Sequence, residues 1–127
     1  MNVSGRALLG FLTTALLALP VPASADQALA PEQLFAAVCS SCHDLGSQWD
    51  HRIGPPLGGL ANRPAAAVPG YPYSEALSSA KIRWTQAELM AWILDTNGRL
   101  NDTSMVYQNS LTPEETQRLA RWLLAQD

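Results

Sequence analysis

One short motif, Cys39-Ser40-Ser41-Cys42-His43, restricts what this chain can fold into more than any other stretch. A C-x-x-C-H motif is typical of covalent attachment of a c-type haem. Two thiols three residues apart lie on one side of a helical turn, where they can add to the two vinyl groups on one edge of a porphyrin. The histidine is then held beneath the ring, where a neutral imidazole nitrogen can bind iron. The motif predicts one haem attached through Cys39 and Cys42, with His43 as an axial ligand.

Two other interpretations of this motif remain open. A thioredoxin-like dithiol also uses C-x-x-C, but it belongs in a βαβ unit, and the chain has no run of alternating β-branched residues for such a sheet. A structural zinc site normally needs four Cys or His ligands. The chain offers only Cys39, Cys42, His43 and His51. Because Cys42 and His43 are adjacent, they cannot easily share one tetrahedral ion, and haem attachment is the preferred interpretation.

The start of the chain has the pattern of a secretory signal peptide. Arg6 and the amino terminus precede an apolar run over 7–19, and a small-x-small tripeptide at 23–25 matches a signal-peptidase site. The run has thirteen residues, fewer than the roughly 20 that span a bilayer. We predict a signal peptide over 1–25 and one domain over 26–127, with an uncleaved membrane anchor as the alternative.

The charge balance limits the partners of the predicted domain. The 127 residues include eight basic and eleven acidic side chains, and the formal net charge is −3. Cleavage after Ala25 would remove Arg6 and no acidic residue. Such a surface does not favour nucleic acid or an anionic membrane as a partner. We expect a periplasmic monomer that does not insert into the membrane after cleavage.

Helix-starting and helix-breaking residues predict an all-α chain. Pro31 and Glu32 begin a helix that runs into the haem motif. The many Gly and Pro residues of 44–70 predict a long loop. Loops of this length are unusual in a small domain, and wrapping a flat cofactor would explain this one. A short helix is predicted at 74–77. A capping box at 85–88 begins a further helix, which is expected to stop at Asn97-Gly98.

A second capping box, at 112–115, begins a last helix with one apolar face. Leu119, Trp122 and Leu123 recur at i, i+3 and i+4. We expect this face to pack against Phe35 of the first helix. The predicted fold is therefore all-α, with about four to five helices around one covalently bound haem. A domain of this size has a small core, and we expect the haem-free chain to be largely unfolded.

The second axial position of the iron decides between electron transfer and chemistry at an open metal. Beyond the signal sequence the thioethers are Met90 and Met105, and the spare imidazole is His51. Met90 lies inside a helix among apolar neighbours, where methionine more often packs in a core. His51 follows His43 too closely to pass round the ring edge readily. Met105, in a loop 62 residues after His43, can approach the opposite face and is the preferred ligand.

With these residues in place, the sequence resembles the class I cytochromes c, close to the mitochondrial protein and the small soluble bacterial electron carriers. The resemblance covers nearly the whole of 26–127 and implies the small cytochrome c fold. Gly54-Pro55 resembles the family's loop Gly-Pro, whose proline carbonyl accepts the N–H of the proximal histidine. Thr103-x-Met105 resembles the loop that carries the methionine ligand.

The resemblance also implies which residues contact the haem propionates. The segments 69–73 and 82–84 resemble those that supply these contacts, through Tyr73 and Trp84, and Arg63 matches the family's loop arginine. All three side chains carry hydrogen-bond donors that can compensate a buried negative charge. The alternatives are a solvated loop charge for Arg63 and plain core packing for Trp84.

Three positions depart from the family pattern. Trp92 stands where the family often has a tyrosine near the methionine sulfur, so the hydroxyl there is missing. Leu77 replaces a family asparagine, which puts the internal polar network around a buried water in question. Lys81 is the only lysine, whereas the mitochondrial protein docks through a ring of lysines, so the identity of the partner is not transferred.

These residues predict a periplasmic monohaem cytochrome that carries electrons between redox proteins, such as a respiratory complex, a dehydrogenase or an oxidase. It is not expected to be an enzyme and has no predicted catalytic residue. The predicted cofactor-binding residues are Cys39, Cys42, His43, Pro55, Arg63, Tyr73, Trp84, Thr103 and Met105. The alternatives are a haem subunit permanently docked to one dehydrogenase or oxidase, and a haem enzyme or gas sensor with a labile sixth ligand.

Overall fold

A computed structural model of the chain describes residues 1, 28–46 and 52–127. Within these ranges the helices are α1 Pro31–Val38, α2 Glu75–Ser79, α3 Gln86–Leu94, α4 Thr96–Arg99 and α5 Pro113–Leu123, with a 3₁₀ turn at Leu60–Asn62. The described ranges contain no strand, only an isolated bridge between Pro64 and Arg83. The prediction of an all-α fold is confirmed.

Two predictions fall on residues outside those that the structure describes. They are the signal peptide over 1–25, of which only the first residue is described, and the role of His51. Among the helices of the described ranges, none has the length and apolar character needed to cross a bilayer.

Capping side chains fix where two of the long helices begin. Thr112 Oγ1 accepts the N–H of Glu115 at 3.2 Å, and the Glu115 carboxylate accepts the N–H of Thr112 at 2.9 Å. This is the predicted capping box of α5. At α3, Thr85 Oγ1 accepts the N–H of Glu88 at 3.2 Å, but the Glu88 carboxylate lies 2.5 Å from Arg99 Nη2 instead of returning to the cap. The ion pair therefore links α3 to α4.

The end of α3 differs from the prediction. The helix stops at Leu94, before the predicted stop at 97–98, because Asp95 begins a new turn and its side chain accepts the N–H of Gly98 at 2.8 Å. An aspartate side chain competes in this way for backbone N–H groups. A Cβ at Gly98 would collide with the Asp95 carboxylate, so a larger residue there would have to displace the capping side chain.

The core lies where α5 packs against α1 and α3. The rings of Phe35 and Trp122 are 5.7 Å apart and tilted by 49°, and Leu119 is fully buried between the helices. The predicted apolar face of α5 and its packing on α1 are thus observed. Cys39 is the C-cap residue of α1, and its N–H donates to the Phe35 carbonyl at 2.9 Å. The core helices therefore place the C-x-x-C-H motif directly at the end of α1.

Candidate cofactor site

A cavity of about 300 Å³ opens beside this core, between the end of α1, one side of α3 and the loops around residues 53–66 and 103–107. Its volume is at the lower end of the range of small-molecule sites, roughly 300 to 1,000 Å³, and its lining is mainly apolar. All nine cofactor-binding residues predicted from the sequence line this one cavity. The fold therefore brings together residues that the chain separates by as many as 66 positions, from Cys39 to Met105.

His43 is held in one tautomer. Its Nδ1 lies 2.7 Å from the carbonyl oxygen of Pro55. A carbonyl can only accept a hydrogen bond, so Nδ1 carries the proton and Nε2 keeps its lone pair for a metal. Burial lowers the pKa of His43, and the hydrogen bond to Pro55 opposes that shift only in part. The imidazole is therefore neutral at neutral pH, as a metal ligand must be.

Gly54 packs against the face of the same imidazole. A Cβ at this position would overlap the ring, lying 2.7 Å from His43 Nδ1 and 2.9 Å from Nε2. The N–H of Gly54 also donates to the carbonyl of Cys42 at 2.8 Å. The Gly54-Pro55 pair thus sets both the tautomer and the position of the ring.

Replacing Gly54 by alanine is expected to destabilise the holoprotein by about 1–3 kcal/mol, because the added methyl must displace the His43 ring or its own backbone. Thermal unfolding followed by the visible haem absorption measures this loss. Gly46→Ala is the matched control, since Gly46 is exposed and does not line the cavity. Equal melting temperatures for both variants would show that Gly54 does not position the ring.

The two cysteines are free, half-buried thiols on the cavity wall. Burial raises the pKa of Cys39 to about 11, with a smaller contribution from the charge of Cys42. Dithiols of disulfide oxidoreductases have lowered thiol pKa values, so this environment does not favour the thioredoxin interpretation. In the part of the chain that the structure describes, no group of three or more His, Cys, Asp or Glu is arranged to hold a metal ion, as the zinc interpretation would require.

The two methionines have different surroundings. Met105 lines the cavity, whereas Met90 packs against the helical core and does not reach the cavity. The indole Nε1–H of Trp92 donates to Met105 Sδ at 3.2 Å. Thr103 Oγ1 donates to the Met105 carbonyl at 3.4 Å. The hydroxyl that the sequence shows to be missing at position 92 is therefore replaced by another donor, the indole N–H, which sequence reasoning did not anticipate.

Tyr107 is a cavity residue that sequence reasoning missed. Residues 103–107 all line the cavity, but only Thr103, Met105 and Tyr107 are half-buried, while 104 and 106 are exposed. Burial raises the pKa of Tyr107, and a further contribution comes from the charge of Cys39, which places the phenol near the haem motif. The signal was the spacing of two in Thr-x-Met-x-Tyr, which is the side-chain period of an extended segment.

Arg63 is tied to the loop that carries Pro55. Its Nη2 donates to the Pro56 carbonyl at 2.5 Å, and its Nε donates to the Gly58 carbonyl at 3.3 Å. A guanidinium has five N–H donors. These two contacts therefore leave donors on the cavity wall for an anionic group, while the arginine also braces the loop.

Tyr73 and Trp84 present polar groups on an otherwise apolar wall. The Tyr73 hydroxyl oxygen accepts the N–H of Val68 at 3.3 Å, and its own proton remains available to donate. Trp84 packs edge-on against Trp92, with ring centroids 5.5 Å apart. Leu77 also lines the cavity, so the position of the family asparagine is apolar here.

Comparison with known proteins gives one consistent result. The family model described as Cytochrome c matches residues 30–127. Cytochrome c-550 of Nitrobacter winogradskyi is 39% identical over 69 residues, which are 54% of this chain and 63% of that protein. Cytochrome c of Guizotia abyssinica is 30% identical over 103 residues, 81% of this chain and 93% of that protein. Among solved structures, cytochrome cH from Methylobacterium extorquens is similar with a TM-score of 0.64 and 28% identity, over 73% of this chain and 92% of that one.

Proposed function

The chain belongs to the cytochrome c family, and we propose on this premise that it is an exported electron carrier of the periplasm whose haem iron is ligated by His43 and Met105. The family binds one haem c covalently, and Cys39 and Cys42 fit the attachment motif. The relatives named cytochrome c2 and c-550 support electron transfer as the function.

The observation that carries the proposal is the convergence of four side chains on one cavity. Cys39, Cys42, His43 and Met105 all line it, although Met105 follows His43 by 62 residues. The residues present fit a haem, because the wall offers two thiols for attachment, an imidazole with a free Nε2 and a thioether. A His/Met ligand pair is the one that cytochromes c use, and it raises the reduction potential.

The residues of the chain hold the ligands still and keep water away. A bound haem would supply the iron that gains and loses one electron. The Pro55 carbonyl fixes the His43 ring, and Trp92 holds the Met105 sulfur. The lining is mainly apolar, which gives a dry site where the charge of the ferric state is costly. No bond of a substrate is made or broken in this function.

An apolar rim surrounds the mouth of the cavity in the described residues. Ile53 is 77% exposed and Val106 is 96% exposed, and both line the cavity from opposite loops. The chain has one lysine, Lys81. Electron carriers meet their partners through small, short-lived interfaces. We therefore expect the donor and acceptor proteins to approach this rim, without the lysine ring that the mitochondrial protein uses.

A redox titration followed by visible spectra tests the proposal on purified holoprotein. A one-electron transition between two low-spin, six-coordinate states is expected, and the ferrous form should not bind carbon monoxide. A colourless exported protein would overturn the assignment of haem attachment. Rapid binding of carbon monoxide by the wild type would favour the alternative of a gas sensor or haem enzyme with a labile sixth ligand.

Replacing Arg63 by glutamine is expected to lower the reduction potential, because a propionate left without its guanidinium partner adds negative charge that favours ferric iron. A spectroelectrochemical titration measures the midpoint. Arg121→Gln is the control with the same loss of charge, since Arg121 is exposed on α5 and does not line the cavity. Equal midpoint potentials for the two variants would show that Arg63 only holds its loop in place and does not act on the haem.

A further inference from the structure

We propose that the ion pair between Glu88 and Arg99 is a positioning pair that holds the loop of Met105 closed over the iron and so keeps external ligands away from it. The observation is the contact of Glu88 Oε1 with Arg99 Nη2, at 2.5 Å. Neither side chain lines the cavity. The inference rests on the proposed function, because it takes Met105 as an axial ligand.

The carboxylate of Glu88 depends on Arg99 for a partner. Its Oε1 atom is shielded from solvent, and a shielded carboxylate oxygen is costly unless a cation lies beside it. Within the described ranges, Arg99 is the cation that pairs with it. The N–H of Thr85 already donates to the Arg83 carbonyl at 2.9 Å, so the carboxylate is not needed to complete the cap of α3 and turns to α4 instead.

The ion pair fastens α4, the segment that leads into the loop of Met105. Arg99 is the last residue of α4 and precedes Met105 by six positions. The N–H of Leu100 closes the turn by donating to the Thr96 carbonyl at 3.0 Å. A single helical turn of four residues is not stable in isolation. The turn therefore needs contacts with α3, and the ion pair is one of them.

Beyond α4 the loop has few contacts of its own backbone. In the ranges that the structure describes, no backbone N–H or C=O of residues 101–108 forms a hydrogen bond with another backbone group. After the loop, the Tyr107 hydroxyl donates to Asn109 Oδ1 at 3.1 Å. Apart from the contact at the Met105 sulfur itself, the loop thus runs between two side-chain anchors, the ion pair before it and Asn109 after it.

Local opening of this loop is the step that lets an external ligand reach the iron. A segment with few backbone hydrogen bonds opens at a lower free energy than a packed helix. Loss of the ion pair weakens the anchor in front of the loop, so the open state becomes more populated and the sulfur leaves the iron more often. The pair therefore sets the rate at which external ligands bind, while the axial ligands of the closed state stay the same.

Arg99→Gln tests this with imidazole as the external ligand of ferric holoprotein, followed by stopped-flow visible absorption. Binding should be faster than in the wild type by about threefold or more, as expected for loss of a partly exposed ion pair. Arg121→Gln is the control with the same loss of charge, since Arg121 is exposed on α5 and has no part in this pair. Equal rates for the two variants would overturn the proposal.

Thr112→Ala controls for a general loss of stability. It removes the hydroxyl that caps α5 and should lower the melting temperature without faster imidazole binding. If it bound imidazole as fast as Arg99→Gln, the acceleration would be a consequence of lower stability and the proposal would fail.

Two further variants test whether the two charges act on each other. Arg99→Lys keeps a cation, and because the contact uses one guanidinium nitrogen, its binding rate should stay within about twofold of the wild type. Glu88→Gln/Arg99→Gln should bind imidazole more slowly than the product of the two single effects predicts, since each single change already breaks the pair. A lysine variant as fast as Arg99→Gln, or two independent effects, would contradict the proposal.

Amide hydrogen exchange gives a readout that needs no external ligand. In ferrous holoprotein, the Leu100 amide, which closes the turn of α4, should exchange faster in Arg99→Gln than in the wild type. The amide of Leu119, in the fully buried part of α5, should not change. A Leu100 amide with the same exchange rate in both proteins would show that the ion pair does not hold α4.

Met105→Ala separates failure of this inference from failure of the proposed function. If the wild type binds imidazole as fast as Met105→Ala, the sulfur does not guard the iron, and the ligand assignment fails together with the inference. If the wild type is slower than Met105→Ala but as slow as Arg99→Gln, only the inference is overturned.

Discussion

Met105→Ala is expected to open the ferrous iron to carbon monoxide and to lower the reduction potential. The reason is that Met105 is the thioether on the cavity wall, and alanine has no atom that can reach or bind the metal. A methionine ligand raises the potential of a c-type haem, so its loss favours the ferric state. Carbon monoxide difference spectra and a redox titration of the purified variant measure both effects.

Met90→Ala is the matched control for this experiment. Met90 is half-buried against the helical core and lies outside the cavity. Its replacement should cost about 2 kcal/mol of unfolding free energy through lost packing, without opening the iron. If instead Met90→Ala opened the iron and Met105→Ala only lost stability, the ligand would have to be reassigned to Met90.

Without thioether attachment, the haem-free Cys39→Ala/Cys42→Ala double variant is expected to lose most of its helical signal. Leu89, Ile93 and Leu123 line the cavity and also belong to the core, so loss of the haem empties space on one side of the main helices. Loss of the packing around one large core side chain costs about 2–5 kcal/mol, and three such side chains lose a neighbour here. That is comparable to the whole stability of a small domain, about 5–15 kcal/mol.

Far-ultraviolet circular dichroism of the haem-free double variant measures this loss. Ser40→Ala/Ser41→Ala is the control, since it changes the two middle residues of the same motif and keeps both thiols. The control should retain attached haem and native helicity. Native helicity in the haem-free cysteine variant would contradict the view that the cofactor completes the core.

The start and the packing of α5 followed from the sequence because their causes are local. The Thr112–Glu115 capping box and the spacing of Leu119 and Trp122 each act within one or two turns, and both recur in the structure. The end of α3 was predicted too far along because the side chain of Asp95 forms a competing cap. That cap is also local, but the sequence does not show whether the Asp95 cap or the expected stop at Asn97-Gly98 ends the helix.

The candidate site was predictable as a set of residue types and less so as a set of contacts. The C-x-x-C-H motif and the position of Met105 predict the ligands without any geometry. The donor to the Met105 sulfur could not be found in this way, because the direction of the Trp92 N–H depends on where the loop of Met105 lies beside α3. For the same reason, the sequence did not show that Arg63 braces the carbonyls of Pro56 and Gly58.

A proton spectrum of the ferrous protein with ¹³C-labelled methionine methyl groups tests the ligation of the iron by Met105 most directly. A methyl group held against the face of the porphyrin is shifted strongly upfield by the ring current. One such methyl resonance is expected in the wild type. It should remain in the spectrum of Met90→Ala and disappear from that of Met105→Ala. A wild-type spectrum without an upfield methionine methyl, or one whose signal is lost with Met90, would contradict the account.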